Sequence, residues 1–305
     1  MRGSETASPG TARSRSLARY LDHHWAFAFV LPALVVLVAV TAIPFVSALG
    51  LSFTNFNLNK MAEARFVGVD NYVAFAGDAK LQAILVTTIV LVVAIVVFET
   101  LTGMALAVLL NREFRGIGLI RSIDTLPLMV TAVVVAITWR ALFNTNVGWI
   151  NYFLGLVGLP TPNWLGDPMT ALPAIVIADI WVGTPFMAIL ILAGLIGVSK
   201  ELHEAAAVDG ASSWKVFWYV SLPAIRPVLV VAILLRTVDA FRKFESITVM
   251  TKGGPGTATT ILNLYVYETS FLFGKLGYGA ALAVLLVVLM SVVLFLFYRF
   301  GRESA

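Results

Sequence analysis

Apolar residues in this chain gather into long blocks and do not alternate with polar ones. Six blocks stand out, at 26–53, 81–110, 117–143, 173–198, 224–250 and 278–300. A helix needs about 20 apolar residues to cross a bilayer, and every block is longer. The pattern predicts an all-α polytopic membrane protein with six transmembrane helices. Pro32, Pro44, Pro127, Pro185 and Pro227 fall within or at the edges of the blocks. Neighbouring groups can re-satisfy the freed carbonyls in a membrane helix, so kinks are expected there and not breaks. The first block far exceeds the ~7–15-residue core of a signal peptide, so it is expected to remain a span, uncleaved at "VSA" (46–48). Residues 1–25, rich in Ser, Gly and Arg, are expected to be a disordered tail, residues 26–300 the transmembrane domain, and 301–305 a second short tail.

Composition agrees with this class. The chain of 305 residues is 59% hydrophobic and only 12% charged, about half the ~25% of a soluble domain. It contains no cysteine, which excludes disulfides, thiolate nucleophiles and Cys-based metal sites. A net charge of +4 gives no sign of a nucleic-acid partner. The placement of charge is more informative. With the N-terminus inside, twelve of the 21 basic residues fall on cytoplasmic segments, five on outer loops and four within blocks. The positive-inside rule then puts both termini in the cytoplasm, together with the segment between the fourth and fifth blocks.

That segment, "ELHEAAAVDGASSWKVFWYVSLP" (201–223), is polar and well punctuated. Ser199 suits an N-cap, Glu201 the first turn and Gly210 a left-handed C′ position. A second short helix is expected from "ASSW", closed by Pro223. Ala205, Ala206 and Ala207 leave a flat surface that another backbone can approach. A membrane-lying helix would want more large apolar and basic residues than this stretch holds, so a protein-docking surface fits better.

Glu204, Ala205, Ala206, Gly210, Val220, Leu222 and Pro223 reproduce a full motif spacing. It resembles the EAA loop (199–223) of permease subunits of ABC importers served by an external binding protein. "GWIN" (148–151), "NWLGDP" (163–168), "DIWVGTPF" (179–186), "VDGASSW" (208–214) and "RTVDAFRKFESITVMTKGGPG" (236–256) resemble the carbohydrate branch, in its MalF/UgpA-like half. MalF itself has two extra N-terminal spans and a large periplasmic insertion. The loop at 54–80 here is short, so the six-span sugar permeases match better. The resemblance implies a permease that takes up a sugar, oligosaccharide or polyol across a bacterial inner membrane. It implies three kinds of partner besides membrane lipids: a second, MalG-like permease, two ATPase subunits and an extracytoplasmic solute-binding lipoprotein. Glu204, Ala205, Ala206, Asp209, Gly210, Leu222 and Pro223 would form the ATPase-docking loop. The chain has no G-x-x-x-x-G-K-[ST] phosphate loop, so ATP and Mg²⁺ are expected on the partner ATPases and no cofactor or metal on this chain. It is not expected to be an enzyme.

The fifth block carries charge deep in the bilayer. At about 1.5 Å per residue, Arg236 lies roughly 18 Å beyond Ala224, followed by Asp239, Arg242, Lys243 and Glu245. Each charge near the bilayer centre costs about 2.5–3.5 kcal/mol, so these must face protein or water. Spacing suggests the pairs Arg236–Asp239, Asp239 with Arg242 or Lys243, and Arg242–Glu245. Two readings fit: a structural ion network, or the wall of a translocation path to which Trp181, Phe241 and Phe244 would add aromatic surface. In "WVGTP" (181–185) the helix either opens beside the path or kinks for packing. "TKGGPGTATT" (251–260) is either a flexible outer mouth or a plain turn. A glycerol phosphate permease, or an ion-driven secondary transporter, is the competing function. The second would usually show an inverted repeat, and no second copy of the fifth-block pattern is evident. An intramembrane enzyme lacks a catalytic set.

Overall fold

The computed structural model describes residues 10–112 and 114–302, with side chains from residue 30 to 299. Helices account for nearly all regular structure among these residues, and the only β pairing is an isolated bridge between Thr54 and Phe66. Besides a single turn at Asp70–Val73 and short 3₁₀ and π turns, the helices are α1 (Gly10–Ser52), α2 (Ala79–Leu110), α3 (Ile117–Thr125), α4 (Ala132–Leu142), α5 (Trp149–Leu156), α6 (Pro168–Ile196), α7 (Lys200–Val208), α8 (Ser213–Phe241), α9 (Phe244–Met250), α10 (Leu262–Tyr267) and α11 (Leu276–Arg302). Among the described residues, five stretches are long and apolar enough to cross a membrane: Val30–Ser52, Ala79–Leu110, Pro168–Ile196, Ser213–Phe241 and Leu276–Arg299. A sixth is completed only if α3 and α4 count as one broken span.

Four boundaries differ from expectation, each for a physical reason. The tail expected to be disordered through residue 25 is helical from Gly10; residues 1–9 lie outside the described residues. No Gly or Pro occurs from 11 to 31, and extending an existing helix is far easier than nucleating one. The third block does not merely kink at Pro127. Its two arms meet at 97°, because a 3₁₀ turn at Leu126–Met129 leads into extended backbone at Val130 and Thr131. Pro223 does not close the second loop helix either. The chain passes from Ser213 through a π-turn at Phe217–Ser221 into Leu222–Phe241. The widened turn lies just before Pro223, whose ring would crowd the carbonyl of Tyr219 in a regular α-helix. Finally, the fifth span stops at Phe241 and restarts at Phe244, where an uninterrupted helix through 250 is expected from the sequence.

The second and fourth spans form the centre. More than half (56%) of the α6 apolar window is buried, whereas none of the first span's window is. Three apolar tiers run along α2. Near the loop helix α7 they include Ala107, Met187, Ile191 and Ile225; in the middle Leu91, Ile95, Ala174, Ile175 and Phe241; at the far end Leu81, Ile84, Leu262 and Leu282. Small residues permit the close α2–α6 crossing, as expected where lipid gives helices no hydrophobic drive to associate. A Cβ on Gly103 would lie 3.1 Å from the backbone nitrogen of Ala188.

Candidate functional site

Two features carry functional chemistry: an ion network in the middle tier and the capped loop helix at one end.

The network joins three spans. The Arg236 guanidinium on α8 grips Glu99 of α2 with two donors, Nε to Oε2 and Nη2 to Oε1, the latter at 2.6 Å. Nη2 also donates to Asp179 Oδ2 on α6 at 2.8 Å, and Nη1 donates to Asp239. The Lys243 ammonium bridges Asp179 Oδ1 at 2.8 Å and Asp239 Oδ2 at 3.1 Å. Glu99 is 0%, Arg236 4% and Asp179 6% exposed, while the Asp239 side chain is 52% exposed. Three members are therefore sealed inside and one reaches the surface. Lys243 sits in the break between α8 and α9. Non-helical backbone at membrane depth is tolerated only against protein or a water-filled cavity. A void of about 30 Å³ beside Asp179, Val182, Lys243 and Ser246 has room for about one water.

The expected pairs Arg236–Asp239 and Asp239–Lys243 form, whereas Arg242 and Glu245 make no ion pair with one another and are exposed. Glu99 and Asp179 are absent from the sequence-derived site. Each is the lone charge in its apolar block, and an unbalanced carboxylate inside a bilayer demands a cation from another span. That signal was available. Phe241, a sequence candidate for the pathway wall, is 1% exposed within the middle tier. Phe244 is half-buried against Tyr267, and Trp181 is 46% exposed with its edge toward Trp139. The helix does not open at "WVGTP", since α6 runs unbroken through Gly183 and Pro185. Gly183 instead provides space, because a Cβ there would overlap the Glu99 carboxylate and the Arg236 guanidinium.

The loop helix α7 is capped at both ends. Ser199 Oγ accepts from the Glu201 amide at 3.3 Å. At the other end Gly210 has φ +75°, the Ala211 amide donates to Ala206 O at 3.0 Å and the Gly210 amide to Ala207 O at 3.1 Å. This is the Schellman arrangement. Only His203 and Ala206 of α7 are partly buried. His203 Nδ1 lies 3.2 Å from Ser199 O and Nε2 3.2 Å from Ser221 Oγ, which ties α7 to the base of α8. Glu204, Ala205 and Asp209 are exposed, as are Leu202 and Val208, the last at 87%. Leu222 packs into the tier nearest α7, and Pro223 stands in the first turn of Leu222–Phe241.

The "TKGGPGTATT" loop is stapled. Lys252, Gly253 and Gly256 have positive φ, Thr251 and Thr259 share a 2.7 Å hydroxyl contact, and Thr260 Oγ1 donates to Gly253 O at 3.0 Å. This favours a built turn over a flexible mouth.

Residues 99–303 match the family described as the binding-protein-dependent transport system inner membrane component. The trehalose/maltose transport system permease protein MalF of Thermococcus litoralis is 35% identical over 287 residues, covering 94% of this chain and 97% of that protein. The trehalose transport system permease protein SugA of Mycobacterium tuberculosis is 35% identical over 292 residues, covering 96% and 93%. A chain from the crystal structure of a bacterial ABC transporter involved in import of the acidic polysaccharide alginate superposes with a TM-score of 0.81. That match covers 94% of this chain and 99% of the other at 21% identity, and it bears on the fold. With family and fold in agreement, this chain belongs to the inner membrane components of binding-protein-dependent transport systems.

Proposed function

We propose that this chain is the MalF-like permease half of an ATP-driven importer for a sugar or oligosaccharide. The reading rests on a family match favouring binding-protein-dependent import over ion-driven transport, and on full-length relatives named for trehalose and maltose rather than glycerol phosphate. The observation that carries the mechanism is α7, a helix capped at both ends with most of its surface unpartnered in this chain and joined to the fifth span through residues 209–212.

In this reading α7 is a coupling helix on the cytoplasmic side, with both termini on that side. Its exposed face of Leu202, Glu204, Ala205, Val208 and Asp209 seats in a groove on one of two ATPase subunits, which hold ATP and Mg²⁺. Glu204 has no polar partner among the described residues and would meet a basic group there. The caps keep α7 rigid, and Leu222 and the His203–Ser221 contact pass its displacement into α8. Trp181, Asp239, Arg242 and Glu245 are exposed on this chain, which supports a pathway wall completed by a second, MalG-like permease. A solute-binding lipoprotein would deliver the sugar to the opposite face.

Uptake of labelled trehalose and maltose by cells expressing the complete importer tests the proposal. Glu204→Lys should leave membrane insertion intact, abolish co-purification of the ATPase subunit and stop uptake. Uptake at the unmodified rate would refute the docking role.

A further inference from the structure

A second polar site lies far from the network. At the N-terminal ends of α2 and α11 an open cavity of about 610 Å³ is lined by Asp78, Lys80, Tyr265, Thr269, Lys275 and Tyr278. Lys80 is in the first turn of one span and Tyr278 in the first turn of another, so the cavity sits at headgroup depth. Thr269, in a π-turn at Glu268–Leu272, is 3% exposed, and its Oγ1 is buried next to the Tyr265 side chain without a well-formed hydrogen bond. A buried hydroxyl left unsatisfied is unfavourable, so a ligand that supplied a partner would recover that cost.

The charges are arranged for a phosphate with a polar tail. Lys275 makes no ion pair among the described residues. Lys80 stands 4.8 Å over the Tyr265 ring and 3.7 Å from the Glu268 carboxylate. That ring face, on which a sugar would stack, is already covered. Asp78 Oδ2 accepts from the Tyr265 and Tyr278 hydroxyls at 3.0 and 2.8 Å, and Oδ1 accepts from the Leu81 amide at 3.0 Å. Burial opposes its charge, but the Leu81 amide and the two tyrosines outweigh burial and hold the carboxyl below its usual range. Oδ1 retains capacity for one more donor. Beside the cavity Phe271, Leu272 and Phe273 are all exposed, an apolar shoulder at the level where acyl chains begin.

We propose that this cavity binds a phospholipid headgroup, with the phosphodiester on Lys275, Lys80 and the Thr269 hydroxyl, the terminal ammonium or hydroxyl on Asp78, and the acyl chains against Phe271–Phe273. The site lies outside the transport path and the coupling loop, so it stands or falls independently of both.

Native mass spectrometry of the importer purified in detergent tests it, with phosphatidylethanolamine, phosphatidylglycerol and water-soluble glycerophosphoethanolamine as separate probes. One phospholipid should survive collision energies that strip the others. Lys275→Gln and the isosteric Thr269→Val should each lower its retention about tenfold, while Lys252→Gln, outside the cavity, should not. The soluble headgroup should bind far more weakly than the lipid. Unchanged retention in both cavity variants overturns the site. Equal binding of the soluble headgroup overturns the lipid as its occupant, as does a cavity that stays empty until the solute-binding protein is added.

Discussion

Replacing Arg236 by Met probes the network most sharply. With every member ionised, Glu99, Asp179, Arg236, Asp239 and Lys243 carry a formal charge of −1. Losing Arg236 leaves −2 and strands Glu99, which is 0% exposed and has Arg236 as its only ion-pair partner among the described residues. Breaking a buried pair from one side costs about 3–5 kcal/mol, whereas replacing both partners with apolar groups of similar volume is often nearly neutral. Glu99→Met leaves the remaining charges balanced, with Arg236 still held by Asp179 and Asp239, so it should cost much less. The double substitution returns the net charge to −1 with no stranded carboxylate. It should therefore be more stable than Arg236→Met alone, with a coupling energy toward the upper end of the ~0.5–3 kcal/mol seen for contacting residues. Equilibrium unfolding in mixed dodecylmaltoside–SDS micelles, followed by tryptophan fluorescence, measures all four variants of the cycle. A double variant no more stable than Arg236→Met would refute the network as a tie between the second, fourth and fifth spans.

Further substitutions separate structure from transport. Asp239→Asn removes the half-exposed member; its cost to stability should stay within about 1 kcal/mol, as for exposed pairs, while sugar uptake changes, and loss of the assembled complex would make Asp239 purely structural. Gly183→Ala drives a methyl group into the Glu99–Arg236 pair and should cost about 1–3 kcal/mol as overpacking does, read in the same micelle assay. Gly210→Ala meets no atom within 4 Å but has φ +75°. It should cost about 1–2 kcal/mol through backbone strain alone, loosening α7 and lowering uptake without loss of membrane insertion.

The spans were legible because each is a long apolar block, and bilayer thickness fixes the length required. The bend at Val130–Thr131 was not, since hydropathy carries no direction. Interruption of the fifth span at Arg242–Lys243 was hidden for a related reason: Lys243 leaves helical geometry where it reaches Asp179, which lies 64 positions earlier on another helix. The caps of α7 were readable from Ser199 and Gly210 because capping is local chemistry. The purpose of Gly183 was not readable because it depends on side chains from two other spans, nor was the burial of Phe241, because an aromatic residue beside charges looks the same in sequence whether it faces a path or the core.

The central claim is that α7 lies in the cytoplasm under an ATPase subunit. The chain contains no cysteine, so Ala205→Cys introduces one thiol that reports on it directly. The account predicts no reaction with a membrane-impermeant maleimide in intact cells, reaction after permeabilisation when the ATPase subunits are absent, and protection when they are bound. Labelling in intact cells would contradict the account.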